Sequence, residues 1–304
     1  MQEYRFQITE ELDGERIDKA LSLLLDSLSR SFISKLIKEN NLTVNGKPVK
    51  SSYQVKTDDD VLFYLPPSIE PDIVAQDIPL DILYEDADVI VVNKPKGMVV
   101  HPAAGHYCDT LVNALMYHCG EQLSGINGVM RPGIVHRIDM DTTGSLIVCK
   151  NDKAHNAIAL QLKEHSVNRK YHAICYGVLK EDEGTINAPI GRHPTDRKKM
   201  AINERNGKEA ITHYKVLKRF QQYTYIECSL ETGRTHQIRV HMASIGHPLL
   251  GDEIYAGNRK CPFKLQGQTL HAKVLGFIHP TTAEYVETDA PLPEYFLNLL
   301  ENIK

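Results

Sequence analysis

The sequence lacks the features that mark membrane-spanning, secreted and disulfide-stabilised proteins. No apolar run approaches the roughly 18 residues that a spanning helix needs. The first 15 residues, MQEYRFQITEELDGE, are polar and acidic, unlike a signal peptide. The six cysteines are spread along the chain without a CxxC pair, which is typical of free thiols in a reducing compartment. We therefore expect a cytoplasmic protein without a membrane partner.

Motifs for common cofactors and catalytic groups are also missing. The chain has neither a GxxxxGKS/T nor a GxGxxG sequence, so it gives no sign of the usual phosphate and dinucleotide loops. It has no GxSxG turn and no HExxH, and its 14 histidines show no spacing typical of zinc ligands. We therefore predict a site that uses no cofactor and no metal.

Net charge gives no argument for a nucleic-acid partner, but the distribution of charge does. The whole chain carries −4, whereas residues 14–57 hold eight Lys and Arg residues against four acids. Apolar residues recur at helical spacing in 17–28 and in 32–37, and Asn45-Gly46 separates two short strands as in a β-hairpin. Residues 1–65, with a core at about 14–65, are therefore predicted to form a small α/β domain with a basic surface.

The rest of the chain is predicted to form one larger domain of the α+β class. A proline-rich, acidic stretch at 66–81 is interpreted as a linker, and 82–304 is long enough to bury a substantial core. Predicted strands outnumber predicted helices, and several strands look hairpin-connected, which favours α+β over a doubly wound parallel sheet. The predicted strands are 89–95, 145–150, 171–179, 211–220 and 223–230, and the main predicted helices are 109–119 and 152–165.

The segment HRIDMDTTG, 136–144, places a dense set of polar groups between apolar segments, where burial without partners is costly. The spacing of Asp139 and Asp141 suggests a metal-dependent phosphohydrolase with an aspartyl nucleophile. That interpretation needs an uninterrupted apolar strand before Asp139 and a downstream pair of acids, and neither is present. A structural turn would account for Asp141 and Thr142, but it leaves Asp139 unexplained.

Two further segments carry candidate functional residues. In ETGRTHQIRVH, 231–241, Arg234 is predicted to stand at a helix start, where an anion would be stabilised. Its partner could be a phosphate, a buried carboxylate or simply a surface acid. In RKYHAICYG, 169–177, Tyr171 could stack on a nucleobase or could be an ordinary core tyrosine.

Four segments together resemble the RluA/RluD-type pseudouridine synthases. HRIDMDTTG resembles the catalytic motif of that family, and NKPKGMVVHP (93–102), RKYHA and ETGRTHQIRVH resemble its other signatures in the same order. The first domain resembles the alpha-L RNA-binding domain first seen in small-subunit ribosomal protein four, a combination that points to the RluD-like branch. The resemblance implies a mixed, largely antiparallel sheet with flanking helices and a central cleft.

The resemblance also implies roles for particular residues. Asp139 corresponds to the catalytic aspartate and Tyr171 to a tyrosine that packs on the flipped uracil and can transfer protons. Arg234 corresponds to the arginine that pairs with the catalytic carboxylate, and such a pair lowers an Asp pKa by about 1–3 units. Arg137 resembles the arginine that enters the RNA stack, and His136 beside it is expected to contact RNA.

The implied substrate is structured RNA, with large-subunit ribosomal RNA as the leading expectation, and the implied reaction is isomerisation of uridine to pseudouridine without a cofactor. Met140, where Lys or Arg is common in the RluD-like branch, and Ser145, where an aliphatic residue is common, are the departures from the pattern. A monomer is expected. A synthase acting on tRNA and a catalytically silent rRNA-binding or assembly factor remain open, as does the order of the chemical steps. The expected RNA contacts in the first domain are Arg16, Lys19, Arg30, Lys35, Lys38 and Lys47.

Overall fold

The structure is a computed structural model, and it describes residues 2–25, 30–65, 73–102, 106–120, 122–126, 132–196 and 199–304. Contacts within the chain divide it into two compact units, residues 1–70 and 71–304. Across the described ranges, every helix is too short or too polar to pass through a membrane.

The first unit is a small antiparallel sheet packed against two helices. Its strands are β1 (Gln2–Gln7), β2 (Leu42–Val44), β3 (Lys47–Pro48) and β4 (Asp60–Leu65), and its helices are α1 (Ile17–Leu24) and α2 (Arg30–Lys38). The strand order is β1-β4-β2-β3. Asn45 and Gly46 have φ of 50° and 75°, as a two-residue hairpin turn requires, so the predicted hairpin is confirmed. Strand β1 was not predicted from the sequence, although it pairs with β4 along its whole length.

The predicted linker, 66–81, extends too far toward the C-terminus. Ile73 is 6% exposed and belongs to the core of the second unit. The Asn113 side chain donates to the Val74 carbonyl, and the Asn93 amide donates to the Asp81 carbonyl. Residues from Ile73 onward therefore form part of the second unit, because one buried apolar side chain and backbone hydrogen bonds hold them there.

The second unit is built around one large sheet. Its strands are β5 (Ile82–Glu85), β6 (Val89–Lys94), β7 (Thr143–Cys149), β8 (Asn168–Tyr176), β9 (Glu183–Asn187), β10 (Ile190–Arg192), β11 (Met200–Ile202), β12 (Ile211–Arg219), β13 (Tyr223–Leu230), β14 (Leu270–Ile278) and β15 (Tyr285–Asp289). Its helices are α3 (Leu111–Cys119), α4 (Asp152–Lys163), α5 (Gln237–Ser244) and α6 (Glu294–Asn302).

The order of the nine-stranded sheet is β5-β6-β7-β14-β8-β13-β12-β9, with β15 paired to β14. Strands β7 and β14 are parallel, whereas the other neighbours are antiparallel. Strands β10 and β11 form a separate two-stranded sheet. The predicted α+β class, with a mixed and largely antiparallel sheet, is thus confirmed.

The core strands are apolar on both faces where helices cover them. All residues of β7 are buried, and α4 packs against β7 and β14. The chain enters β7 directly from the 136–142 segment and enters α5 directly after β13, so both polar segments noted in the sequence lie at the ends of central strands. The candidate site is built at this point.

Candidate active site

The segment from Asp139 to Gly144 is a tight loop locked against the sheet. The Thr142 amide donates to the Asp139 carbonyl over 3.0 Å, which closes a turn, and the Gln268 side chain donates to the Thr142 hydroxyl over 3.0 Å. Gly144 has φ of 104°, and a Cβ at this position would collide with the Ala272 backbone of β14. The loop therefore has little freedom to move its carboxylate.

The buried Lys94 holds the same loop through hydrogen bonds to backbone carbonyls. The Lys94 ammonium donates to the carbonyls of Pro95, Met98 and Met140 over 2.8–2.9 Å. Burial lowers the pKa of Lys94 to about 7, and the carboxylate of Asp141 opposes that shift. Because Met140 directly follows Asp139, these hydrogen bonds tie the Asp139 loop to the end of β6.

Arg239, and not Arg234, is the ion-pair partner of Asp139. The Arg239 Nη1 donates to Asp139 Oδ2 over 2.8 Å, and the Arg239 side chain is 5% exposed. The Arg234 Nε donates instead to the Glu209 carbonyl over 2.8 Å. The sequence-based assignment of the pair to Arg234 is therefore wrong.

The physical reason is where the helix begins. The sequence predicted Arg234 at the helix start, but the residue before the helix is His236, in the left-handed conformation with φ of 57°. The Gln237 Oε1 accepts from the Arg234 amide and from the Thr232 hydroxyl, which fixes the turn before the helix. The Arg234 side chain consequently extends from the turn that precedes α5. The Arg239 side chain extends from the first turn of α5.

Arg239 is held by a second carboxylate. Asp252 is fully buried, and its two oxygens accept from Arg239 Nε over 2.7 Å and from Nη2 over 3.0 Å. Burial alone would lower the pKa of Arg239, but hydrogen bonding and the charge of Asp252, followed by those of Asp139, raise it. The guanidinium also lies over the Tyr255 ring, 5.1 Å from its centroid. Arg239 is thus a fixed cation shared by two carboxylates.

Tyr171 lies beside Asp139 in the wall of the site. It is 8% exposed on β8, and burial raises the pKa of its hydroxyl. Tyr171, Asp139, Arg137 and Arg234 line both a small cavity of about 60 Å³ and a wider one of about 420 Å³. The structure therefore brings together the residues that the sequence singled out, although the contact between Asp139 and Arg234 is not formed.

The side chains of Arg137 and His136 lie in different environments. Arg137 is exposed, and its Nη2 lies 3.4 Å from the Thr235 hydroxyl. The His136 Nε2 accepts from the Ile147 amide over 3.1 Å, and burial, followed by the charge of Arg169, lowers its pKa to about 3. His136 is therefore a neutral acceptor that secures strand β7, and because it also lines the wider cavity, its contact with RNA stays a prediction.

Another histidine, which sequence reasoning did not assign, lies close to the Asp139 carboxylate. The His236 Nδ1 is 2.7 Å from the Tyr255 hydroxyl, and its Nε2 is 3.8 Å from Asp139 Oδ1. Burial lowers the pKa of His236, and the charge of Asp139 opposes that shift. His236 thus lines both cavities beside Asp139, and a hydrogen bond with Tyr255 holds its ring in place.

Some of the basic residues that were expected to contact RNA form ion pairs within the first unit. Arg16 and Arg30 both pair with the buried Asp18, and Lys19 pairs with Glu15. The side chains of Lys38 and Lys47 are exposed, and that of Lys35 lies outside the described residues. Ion pairs within the unit therefore offset part of the positive charge that the sequence showed.

The second aspartate of the loop has a different environment from Asp139. Burial raises the pKa of Asp141, the charges of Lys96 and Lys94 oppose that shift, and Gln266 donates to its carboxylate over 3.3 Å. Among the described residues, the group with metal-ligating atoms close together is Glu85, His118 and Cys119, which includes neither aspartate of the loop. The arrangement around Asp141 is that of a loop anchor.

Sequence reasoning missed two supports of the site, Asp252 and Lys94. The spacing of Arg234 and Arg239 was visible, but the choice between them depends on which residue begins the helix. Asp252 gave no signal because its partner is a side chain 13 positions earlier. Lys94 gave none because its partners are backbone carbonyls.

The family models match both units of the chain. The model of RNA pseudouridylate synthases matches residues 88–244, more than half of the chain, and the S4 domain model matches residues 15–61. The first of these matches includes Asp139, Tyr171 and Arg239.

Individual relatives and solved structures agree with these matches. An uncharacterized RNA pseudouridine synthase of Bacillus subtilis (strain 168) is 53% identical over 97% of this chain and 96% of its own length. The ribosomal large subunit pseudouridine synthase D of Zymomonas mobilis is 48% identical over 94% of this chain and 93% of its own. The structure of human RNA pseudouridylate synthase domain containing 1 is 29% identical, with a TM-score of 0.58 over 76% of this chain and 87% of its own.

Proposed function

Since the chain belongs to the RNA pseudouridylate synthase family and carries an S4 domain, we propose that it isomerises specific uridines of large-subunit ribosomal RNA and that Asp139 is its catalytic group. The family and the enzyme class predicted from the sequence are confirmed. The observation that carries the role of Asp139 is its position: a rigid loop and a buried arginine hold its carboxylate in the wall of a cavity. Ribosomal RNA is supported by the names of relatives from Zymomonas mobilis and Pseudomonas aeruginosa.

The proposed reaction needs an ionised oxygen and little else from the protein. The bond between uracil N1 and the ribose breaks, the base turns, a new bond forms between the ribose and C5, C5 loses its proton, and N1 gains a proton. No electron is gained or lost. The Asp139 carboxylate can attack the ribose, attack the base or remove a ribose proton. Arg239 donates a charge-assisted hydrogen bond to this carboxylate and places a fixed positive charge beside it.

The neighbours of Asp139 fit a base that has left its stack. Extruding a base costs a few kcal/mol, and stacking on an aromatic ring returns about 1–3 kcal/mol. Tyr171 lines the same cavity as Asp139, so it can stack on the uracil, and its hydroxyl can exchange a proton. The exposed Arg137 guanidinium can fill the space that the base vacates in the RNA.

The two units are proposed to divide binding and chemistry. Residues 1–65 form the S4-type RNA-binding domain, the linker lies within 66–72, and the remaining chain is the catalytic domain. The exposed Lys38 and Lys47 contact phosphates and confer affinity without base specificity. The protein is proposed to act in the cytoplasm as a monomer without a metal or cofactor.

The test is release of tritium from RNA labelled at uracil C5. Wild-type protein is incubated with ribosomal RNA and separately with tRNA, and the modified positions are mapped. We expect release from large-subunit RNA, no release from Asp139→Asn, and near-wild-type release from Asp141→Asn, the matched carboxylate in the same loop. Release from tRNA alone would reassign the substrate, and no release from any RNA would indicate a catalytically silent binding factor. Equal release from Asp139→Asn would contradict the role of that residue.

A second measurement tests the first unit. Lys38→Ala with Lys47→Ala should weaken RNA binding and lower the slope of log affinity against log salt by about 0.7–0.9 for each lost phosphate contact. Turnover on saturating RNA should be unchanged, because both residues belong to the unit that lacks Asp139. A loss of maximal turnover with unchanged affinity would contradict this division.

A further inference from the structure

Arg169 is a buried arginine in the wall of the site. It lies on β8 with 7% of its surface exposed, and no carboxylate among the described residues forms an ion pair with it. Its Nη2 donates to the Glu231 carbonyl over 3.1 Å, whereas its buried Nε has no hydrogen-bond partner. Burying a charge without a partner is costly, and arginine cannot avoid the cost by losing its proton.

The surrounding backbone makes room for this guanidinium. A Cβ at Gly233 would lie 2.5 Å from Arg169 Nη1, so glycine is required for the side chain to occupy its place. Burial lowers the pKa of Arg169 from its ordinary value. By contrast, Arg239 is equally buried but is neutralised by Asp252 and Asp139. One of the two buried arginines of the site therefore has its counter-ions in the protein, and the other does not.

Arg169 faces the wider cavity of the site. Of the described residues that line this cavity of about 420 Å³, four are Lys or Arg and one is acidic: Arg137, Lys163, Arg169, Arg234 and Asp139. Tyr171, two positions after Arg169 on the same face of β8, lines this cavity and also the small one. Arg169 lines only the wider one. A nucleotide with its base against Tyr171 would therefore place its backbone beside Arg169.

We propose that Arg169 binds a phosphate group of the target nucleotide, which supplies the missing counter-anion when RNA enters the site. This inference rests on the proposed function, since it assumes that a uridine reaches Asp139. Phosphate is the ligand that fits, because a guanidinium with free donors recognises phosphate oxygens through charge-assisted hydrogen bonds. Arg169 is thus proposed as a substrate-positioning residue that orients the nucleotide before the chemical step.

The experiment combines a protein change with an RNA change. Arg169→Met removes the charge and the guanidinium donors and keeps an unbranched apolar stem. Lys170→Met is the matched control, because the neighbouring Lys170 pairs with Glu227 and does not line either cavity. The substrate is an RNA that wild-type protein modifies, prepared with a neutral methylphosphonate at the phosphate 5′ or 3′ of the modified uridine. Circular dichroism and thermal unfolding report whether each variant folds, and Arg169→Lys supplies a second, charge-retaining variant.

We expect Arg169→Met to lower kcat/KM about 10- to 100-fold, mainly through KM, and Arg169→Lys to recover part of that loss. Neutralising one of the two phosphates should cost the wild-type protein and Lys170→Met a similar factor but cost Arg169→Met little more. Equal phosphate sensitivity in all three proteins would overturn the inference, as would normal kcat/KM for Arg169→Met. Absence of turnover by wild-type protein would instead contradict the proposed function. That result differs from the two that would overturn the role of Arg169, because both of those require an active wild-type protein.

Discussion

The two arginines of the ETGRTHQIRVH segment differ in almost every physical respect. Arg234 stands in the turn before α5, is partly exposed and donates through its Nε to a single backbone carbonyl. Arg239 lies inside the first turn of α5, is 5% exposed and donates to two carboxylates. One residue type in one segment thus provides both an adaptable cation at the cavity wall and a fixed cation paired with the Asp139 carboxylate.

The difference shows what burial adds to a charge. A partly exposed arginine is screened by water and can move to meet a phosphate, so it contributes little to folding. A buried arginine costs desolvation, and it is stable here because Asp252 and Asp139 supply acceptors with good geometry. We therefore expect changes at Arg239 to affect stability and catalysis together, and changes at Arg234 to affect RNA binding alone.

The largest effect is expected for Arg239→Met. The change leaves the fully buried Asp252 without its cation, and breaking a buried pair in this way costs about 3–5 kcal/mol. The free energy of unfolding, measured by urea denaturation, should fall by about that amount, and tritium release should be lost even where the variant is folded. A folded and fully active Arg239→Met protein would show that Asp139 does not need this partner.

Asp252→Asn should have a smaller effect than Arg239→Met. The amide oxygen can still accept one hydrogen bond, and Asp139 can still pair with Arg239, but the guanidinium loses its second charge partner. We expect a loss of about 1–3 kcal/mol in the free energy of unfolding and about a 10-fold fall in kcat with KM nearly unchanged. A change confined to KM would indicate that Asp252 acts on RNA binding and not on the catalytic pair.

The contrast between the two arginines also shows how far sequence reasoning reaches. The Asn45-Gly46 turn and the central strands were predicted because local pattern determines them. The pairing of Asp139 was assigned to the wrong arginine because a Gln237 side chain and a left-handed His236 shift the helix start. Local patterns also do not encode contacts that depend on the tertiary fold, such as those of Asp252 and of Ile73 within the predicted linker.

Lys94 extends the comparison to a second kind of buried cation. Carbonyl oxygens hold it, whereas carboxylates hold Arg239. Its pKa is lowered to about 7 by burial, whereas an unfolded lysine keeps its proton to about 10.5. Between these values the unfolded chain binds more protons, so stability gained from this residue rises with pH, by up to about 1.4 kcal/mol per pH unit. Below pH 7 the cost of the buried charge is fully present. The free energy of unfolding of wild-type protein, minus that of Lys94→Met, should increase from pH 7 to 10, and a constant difference would contradict the lowered pKa.

The smallest effect on folding is expected for Arg234→Met. Its Nε hydrogen bond reaches only the Glu209 carbonyl, and substitutions at such exposed positions change stability by about 0.5 kcal/mol or less. The cavity nevertheless loses one of its cations, so KM for RNA should rise about 3- to 10-fold and the salt slope of binding should fall by about 1, with kcat preserved. Urea denaturation and tritium release at several salt concentrations measure both quantities on the same protein. If Arg234→Met instead lowered kcat as Arg239→Met does while KM stayed constant, the two arginines would act as one unit on Asp139, and the distinction between an adaptable and a fixed cation would fail.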